Sequence, residues 1–378
     1  MLTMATEGAT RTGQQPPTAD RGHHFVRSDL VLLTGAAASV GLAAVTRYAV
    51  GGDVVAFVCS AAAVALLASV VGRSVEQLGD RFGPGATGVL QSALGNLPEL
   101  FIAIFALKAG LVAVVQAALI GSILANLLLV LGLCFVVGGL RHGTQPLGSE
   151  RARGITVMLL LSVTAMVIPS LAHFVHTPAA EHEKALSIIA SVFLLALFVL
   201  TLPASIKKNR TPLSEEPGTG EHEAPRWALP VAVGLLAAAA VLAAFVSDWF
   251  VYALQPAMQT LGVSEAFAGL VVVAIAGNAI ENVVGIQLAA KNQSEYAFAV
   301  VINSPLQIAL VLAPLLVILS SVLGFASLTL VFSPMLVVAV AIAVLVSAFI
   351  TFDGKSNWIE GAAMIAVYGI IAAAFWWG

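Results

Sequence analysis

From Val31 onward the sequence is a succession of apolar runs separated by short polar breaks. Each run is about as long as the ~20 residues a helix needs to cross a hydrocarbon layer. Such a pattern leaves few folds open. In lipid every backbone amide must find its partner within its own segment, so each run reads as a spanning helix. Breaks at charge, Pro and Gly give spans near 30–50, 53–72, 86–107, 111–140, 154–175, 184–206, 227–250, 264–290, 295–323, 328–351 and 357–377. The expected fold is an all-α membrane protein of eleven transmembrane helices. Composition agrees: 10% of residues are charged, against about 25% in soluble domains. The net charge of −3 sits in connectors, which leaves no basic face for nucleic acid and makes the lipid bilayer the expected partner.

Eleven spans put the termini on opposite sides, so the placement of Lys and Arg tests the assignment. Of 17 such residues, only Arg47, Lys108 and Lys184 fall on the side away from the N terminus. A cytoplasmic N terminus and an outside C terminus follow, with the plasma membrane of a prokaryote as the expected location. Residues 1–29 are polar and read as a disordered tail. Residues 30–50 form an extra helix. The charged, Pro- and Gly-rich stretch 207–226 is a cytoplasmic linker that divides 53–206 from 227–378. Cys59 and Cys134 lie within apolar runs and read as small buried hydrophobes.

The two divided segments resemble each other. Span 3 carries GNLPEL and span 8 carries GNAIEN, which pairs Gly95, Asn96 and Glu99 with Gly277, Asn278 and Glu281. Ser122 follows Glu99 by 23 residues, and Ser304 follows Glu281 by the same 23. Because the glutamates lie five spans apart, their helices run in opposite directions, and the segments form two inverted five-helix repeats. In such transporters the substrate site lies near the bilayer midplane, where helices are interrupted. Gly95, Pro98 and Gly277 supply the expected helix breaks.

An ionised carboxylate in hydrocarbon is expensive, so membrane glutamates usually face a cavity, a partner or a proton. Here Asn96, Asn278 and Asn282 lie within a turn of the glutamates, and Ser122, Asn126, Ser304 and Gln307 lie on the neighbouring helices. These oxygen donors suit a hard cation such as Ca²⁺, and two carboxylates match its charge. Burial and mutual repulsion disfavour two bare carboxylates, so an emptied site holds protons and metal and protons compete. Alternating exposure of that site suffices for antiport. The pair can instead fix helix packing. A hydrolase using either glutamate as general acid or base lacks an identifiable nucleophile or metal triad, and a channel is disfavoured by tight midplane binding. The chain is therefore read as a transporter and not an enzyme.

At these residues the sequence resembles the cation/proton exchangers, typically calcium/proton exchangers, of the cation/calcium antiporter superfamily. The likeness covers 95–132, 291–319 and the terminal 353–377. It implies one extra helix followed by two inverted five-helix repeats, with Glu99 and Glu281 as central cation and proton carriers. It also implies supporting roles for Asn96, Asn278, Ser122, Ser304 and Gln307. No cofactor is implied, only transported Ca²⁺ and protons, with Na⁺ or K⁺ as alternative cargo on the same fold. Two departures bear on selectivity: Asn303, Ser304 and Pro305 replace the usual Gly-Ser-Ser, and Asn282 stands where His is common. His173 and His176 have i, i+3 spacing but read as surface histidines, and Lys108 and Lys291 as headgroup anchors. Trp249, Trp358, Trp376 and Trp377 read as an aromatic belt at span ends.

Overall fold

The computed structural model describes residues 25–49, 52–82, 94–147, 149–208 and 226–377; the side chains of 79–82, 149–152, 202–208, 280 and 281 lie outside that description. The apolar runs become helices, some of which continue through an internal proline at Pro169, Pro256 or Pro305. They are α1 (Arg27–Tyr48), α2 (Asp53–Phe82), α3 (Leu97–Lys108), α4 (Val112–His142), α5 (Ser149–Phe174) and α6 (Glu183–Lys208), then α7 (Leu229–Leu261), α8 (Glu265–Gly277), α9 (Ala279–Ala290), α10 (Ser294–Leu323), α11 (Pro334–Ile350) and α12 (Trp358–Trp376). Among the described residues, eight are long and apolar enough to cross a membrane, and nine when α8 and α9, bent by 60°, count as one span. Helix α11 is apolar but 17 residues long, and α3 has 12.

Helix contacts are made through small residues, as expected where lipid removes the hydrophobic drive for association and close van der Waals approach replaces it. A methyl group on Gly121 or Gly269 would overlap the opposing backbone where the first half of α4 crosses α8. Gly132 and Gly361 play the same part where the second half of α4 crosses α12. Elsewhere α2 runs along α7, with Phe57 stacked on Phe250 at 5.1 Å. The partners recur with the halves exchanged: α4 packs on α12 and α10 on α6, α3 on α7 and α9 on α2, and α5 meets α11.

The helix ends gather on two faces. On one, the strands Gln145–Pro146 (β1) and Lys355–Ser356 (β2) pair, Gln145 Nε2 donates to Asn292 Oδ1 at 2.9 Å, and Ser294 Oγ donates to the Pro146 carbonyl. On the other, Gln116 Nε2 donates to the carbonyls of Thr329 and Val331, and Ser170 and Ser187 bond the backbone of Leu330. Ser264 Oγ donates to the Phe375 carbonyl.

Several sequence boundaries require correction. Asp29, expected in the disordered tail, is in the first turn of α1 and 1% exposed, because the Val26 amide and the Trp227 indole both bond its carboxylate. Residues 1–24 of that tail lie outside the described residues. Helix α2 continues ten residues past the expected end at 72, through Arg73, whose charge is met by Asp29 and Glu76. Of the linker, 209–225 lies outside the described residues; Lys207 and Lys208 finish α6, and the Arg226 amide is held by Gln77. Helix α7 runs on to Leu261, so Trp249 is not at its end; it meets Tyr48 at the end of α1. The expected span 264–290 is two helices. Cys59 and Cys134 are both free. His173 is partly exposed and paired with Glu183.

Candidate cation site

The GNxxE pattern has a direct structural meaning. Asn96 (φ −93°, ψ 18°) and Asn278 (φ −91°, ψ 21°) interrupt their helices with nearly the same backbone conformation, and each stands at the N-cap position of the helix that follows without a side-chain capping bond. Gly95 lies in the turn before α3, and Gly277 is the last residue of α8. Pro98 occupies an early position of α3, where a missing amide hydrogen costs nothing. Glu99 is the third residue of α3 and Glu281 the third of α9; the Glu281 side chain is outside the described residues.

Glu99 is 8% exposed. Its carboxylate sits at the positive end of the α3 dipole, which favours a charge by about 2 kcal/mol at best. The cost of burying a carboxylate is several kcal/mol, so the dipole alone does not hold a bare anion there. The side chain rests on Gly277: a Cβ there would overlap Glu99 Cγ and come within 3.0 Å of Oε1 and 3.1 Å of Cδ. Only glycine permits this approach between the two halves.

Behind Glu99 lies a network drawn from α4, α8 and α10. Asn278 Nδ2 donates to Ser122 Oγ at 2.9 Å and to the Ala274 carbonyl at 2.8 Å. Its Oδ1 accepts from Asn126 Nδ2 at 2.8 Å and Ser304 Oγ at 3.0 Å. Both ends of the amide are thus occupied, and flipping it would face acceptor against acceptor. In this conformation Asn278 bolts the helix break to its neighbours. Asn96 Nδ2 donates to Gln307 Oε1 at 3.3 Å, joining α3 to α10. The structure therefore brings Asn96, Glu99, Ser122, Asn278, Ser304 and Gln307 into one buried cluster.

Asn126, only a neighbour in the sequence, is fully buried at the centre of the cluster. Its Nδ2 is anchored on the Ser122 carbonyl and Asn278, while its Oδ1 has no hydrogen-bond donor among the described residues. The sequence signal was an amide four residues after Ser122 in a largely apolar run. Asn126 lies within a π-helical turn, Ala125–Val130; a second, Ile308–Leu312, begins directly after Gln307. Such turns re-aim side chains and often mark functional positions. A narrow cleft reaches Glu99 and Ser122 between walls that include Ile102, Ala106, Val115 and Leu119. Among the described residues, no group of three or more His, Cys, Asp or Glu could hold a metal.

A family model described as sodium/calcium exchanger protein matches residues 53–207 and 231–377. The chain belongs to the sodium/calcium exchanger family. Within that family it stands with the calcium/proton exchangers: it is 39% identical over 312 residues to the Ca²⁺/H⁺ antiporter ChaA of Bacillus subtilis, covering 82% of this chain and 88% of that one. It is 33% identical over 337 residues to a Ca²⁺/H⁺ antiporter of Aphanothece halophytica, covering 85% and 90%. The solved structure of native YfkE superposes with a TM-score of 0.78 at 35% identity, covering 91% and 99%. Like these exchangers, the chain is an integral membrane protein.

Removing the bolt tests how much of this family fold the cluster holds. Asn278→Ala breaks the four hydrogen bonds of its side chain, each worth about 0.6 kcal/mol in a membrane helix bundle, and the expected loss is about 2 kcal/mol. A clear fall in thermal midpoint in detergent would report it, and an unchanged midpoint would contradict the bolting role.

Proposed function

We propose that this chain is a secondary antiporter that exchanges Ca²⁺ for protons by alternating access, with Glu99 and Glu281 binding cation and protons competitively. The observation that carries the reading is Glu99: a buried carboxylate at a helix break, seated on Gly277 of the other half and backed by amide and hydroxyl oxygens. Asn96, Asn278, Ser122, Ser304 and Gln307 form the supporting shell, and Asn126 adds an oxygen to it. The donor set is that of a hard cation. The names of the relatives agree with calcium as cargo.

Eleven spans in two inverted repeats are part of the proposal. Three independent features support them. The glutamates, the serines and the ends of two π turns, Val130 and Leu312, are all 182 residues apart. Helix partners recur with the halves exchanged. Connections hydrogen-bonded to one another always fall on one side when the eleven spans alternate: 143–147 with 291–294 and 354–357, and 324–333 with the near ends of α4, α5 and α6. The first face carries Arg141, Arg153, Lys291 and Lys355, which makes it cytoplasmic under the positive-inside rule and leaves the C terminus outside.

The test is reconstitution in liposomes under an imposed proton gradient, with Ca²⁺, Na⁺ and K⁺ fluxes measured separately. Calcium should move against protons. Movement of Na⁺ or K⁺ without Ca²⁺ would reject the divalent assignment, and no flux of any of them would reject cation antiport.

A further inference from the structure

Exchange leaves unexplained a second buried carboxylate, Asp29, at the start of α1. Among the described residues this helix is, with α6, one of the two least buried of the long ones: its buried residues are Asp29, Ala36 and Ala43, a single seam at intervals of seven. Leu32, Leu33 and Val40 pack beside this seam along α2, and polar and aromatic contacts fasten both ends. At the inner end Asp29 Oδ2 accepts from the Val26 amide at 3.3 Å and from Trp227 Nε1 at 3.0 Å, and Oδ1 lies 3.7 Å from Arg73 Nη1 of α2. Gln77 Oε1, also on α2, accepts from the amides of Arg226 and Trp227 at 2.7 and 3.1 Å, and Phe25 packs on the Trp227 ring at 5.4 Å. At the outer end the Arg47 guanidinium lies 3.7 Å above the Tyr252 ring of α7, and Tyr48 meets Trp249 edge-on at 5.8 Å. The first helix is therefore fastened at both ends to α2 and α7, which themselves run side by side.

We propose that Asp29 is a positioning residue: it latches α1 and the segment leading into α7 onto α2, so that α1, α2 and α7 move as one body during exchange. Independent motion would strand the Asp29 charge in a site closed to water, and a stranded buried charge is strongly disfavoured. Trp227 ties the latch to the first residues after the connector, so the second half is fixed to the first where it begins. The proposal rests on the alternating-access reading and concerns the rate of the access change, not the binding of the cation.

Asp29→Ala should lower the maximal Ca²⁺/H⁺ exchange rate per folded transporter at least threefold, with half-saturating Ca²⁺ within twofold of wild type. Trp227→Phe keeps a smaller aromatic ring and loses the indole bond to Asp29, so a smaller fall is expected. In a Cys59→Ala/Cys134→Ala background, Asp29→Cys/Trp227→Cys should be slow until a short bifunctional thiol reagent joins the pair, and joined protein should recover at least half the rate. An unchanged rate in Asp29→Ala, a shift in half-saturation as large as the rate change, or joined protein no faster than unjoined would each overturn the latch. Glu99→Gln run in parallel separates the two readings. If it is inactive while Asp29→Ala is normal, the latch alone fails; if wild type moves no Ca²⁺ against protons, the exchange reading fails.

Discussion

Glu99→Gln should reduce proton-driven Ca²⁺ movement by on the order of 100-fold or more, which corresponds to a barrier increase of roughly 2.7 kcal/mol. The substitution keeps the size and one oxygen of the side chain at a position 8% exposed. It removes the charge and the ability to exchange a proton. A dehydrated divalent ion then faces one fewer carboxylate in a site walled largely by apolar side chains, and an amide dipole does not replace a full charge. Fold should survive, because the variant no longer buries a carboxylate. Thermal midpoint should stay level or rise while transport disappears.

The same competition fixes a sign for pH. On the proposed sharing of the carboxylates by protons and Ca²⁺, half-saturating Ca²⁺ should fall as pH rises, and residual binding by Glu99→Gln should depend less steeply on pH. Isothermal binding measurements at several pH values would read both. Normal transport by Glu99→Gln would remove Glu99 from the mechanism.

Much of the site was legible because its chemistry is costly in lipid. Two glutamates, two asparagines and two serines inside apolar runs need a reason, and the repeated 23-residue spacing ties each glutamate to its serine. What stayed hidden was geometry that composition does not encode. Asn126 looked like one more neighbour because its role depends on a π turn and on the exclusion of donors from its Oδ1. Asn278 looked like a ligand, yet both ends of its amide are occupied by partners from three helices. Asp29 looked like tail because a polar segment precedes it, and its partner Trp227 lies 198 residues away. The long apolar helices were legible from hydropathy, but the end of α2 was missed: a helix leaving the apolar layer continues when Arg73 finds carboxylates to meet.

Gly277→Ala should produce the second large effect, because the added methyl falls on the root of the Glu99 side chain and not on its flexible end. Glu99 Cγ cannot swing away without moving α3, whose first turn is fixed by Asn96 and its bond to Gln307. Overpacking of this kind typically costs about 1–3 kcal/mol, and a displaced carboxylate should lower transport roughly 10-fold or more, since a shift near 1 Å at a reacting group has effects of that order. Gly234→Ala in α7 is the control, since nothing among the described residues lies within 4 Å of its added methyl, and it should be neutral or slightly stabilising. Thermal midpoints of the two variants should diverge accordingly. A double-mutant cycle locates the cause: in a Glu99→Ala background the side chain that the new methyl would strike is gone, so the stability cost of Gly277→Ala should largely vanish. A cost that persists unchanged in that background would mean the glycine serves the helix break alone, and contact between the two halves at Glu99 would lose its claim to organise the site.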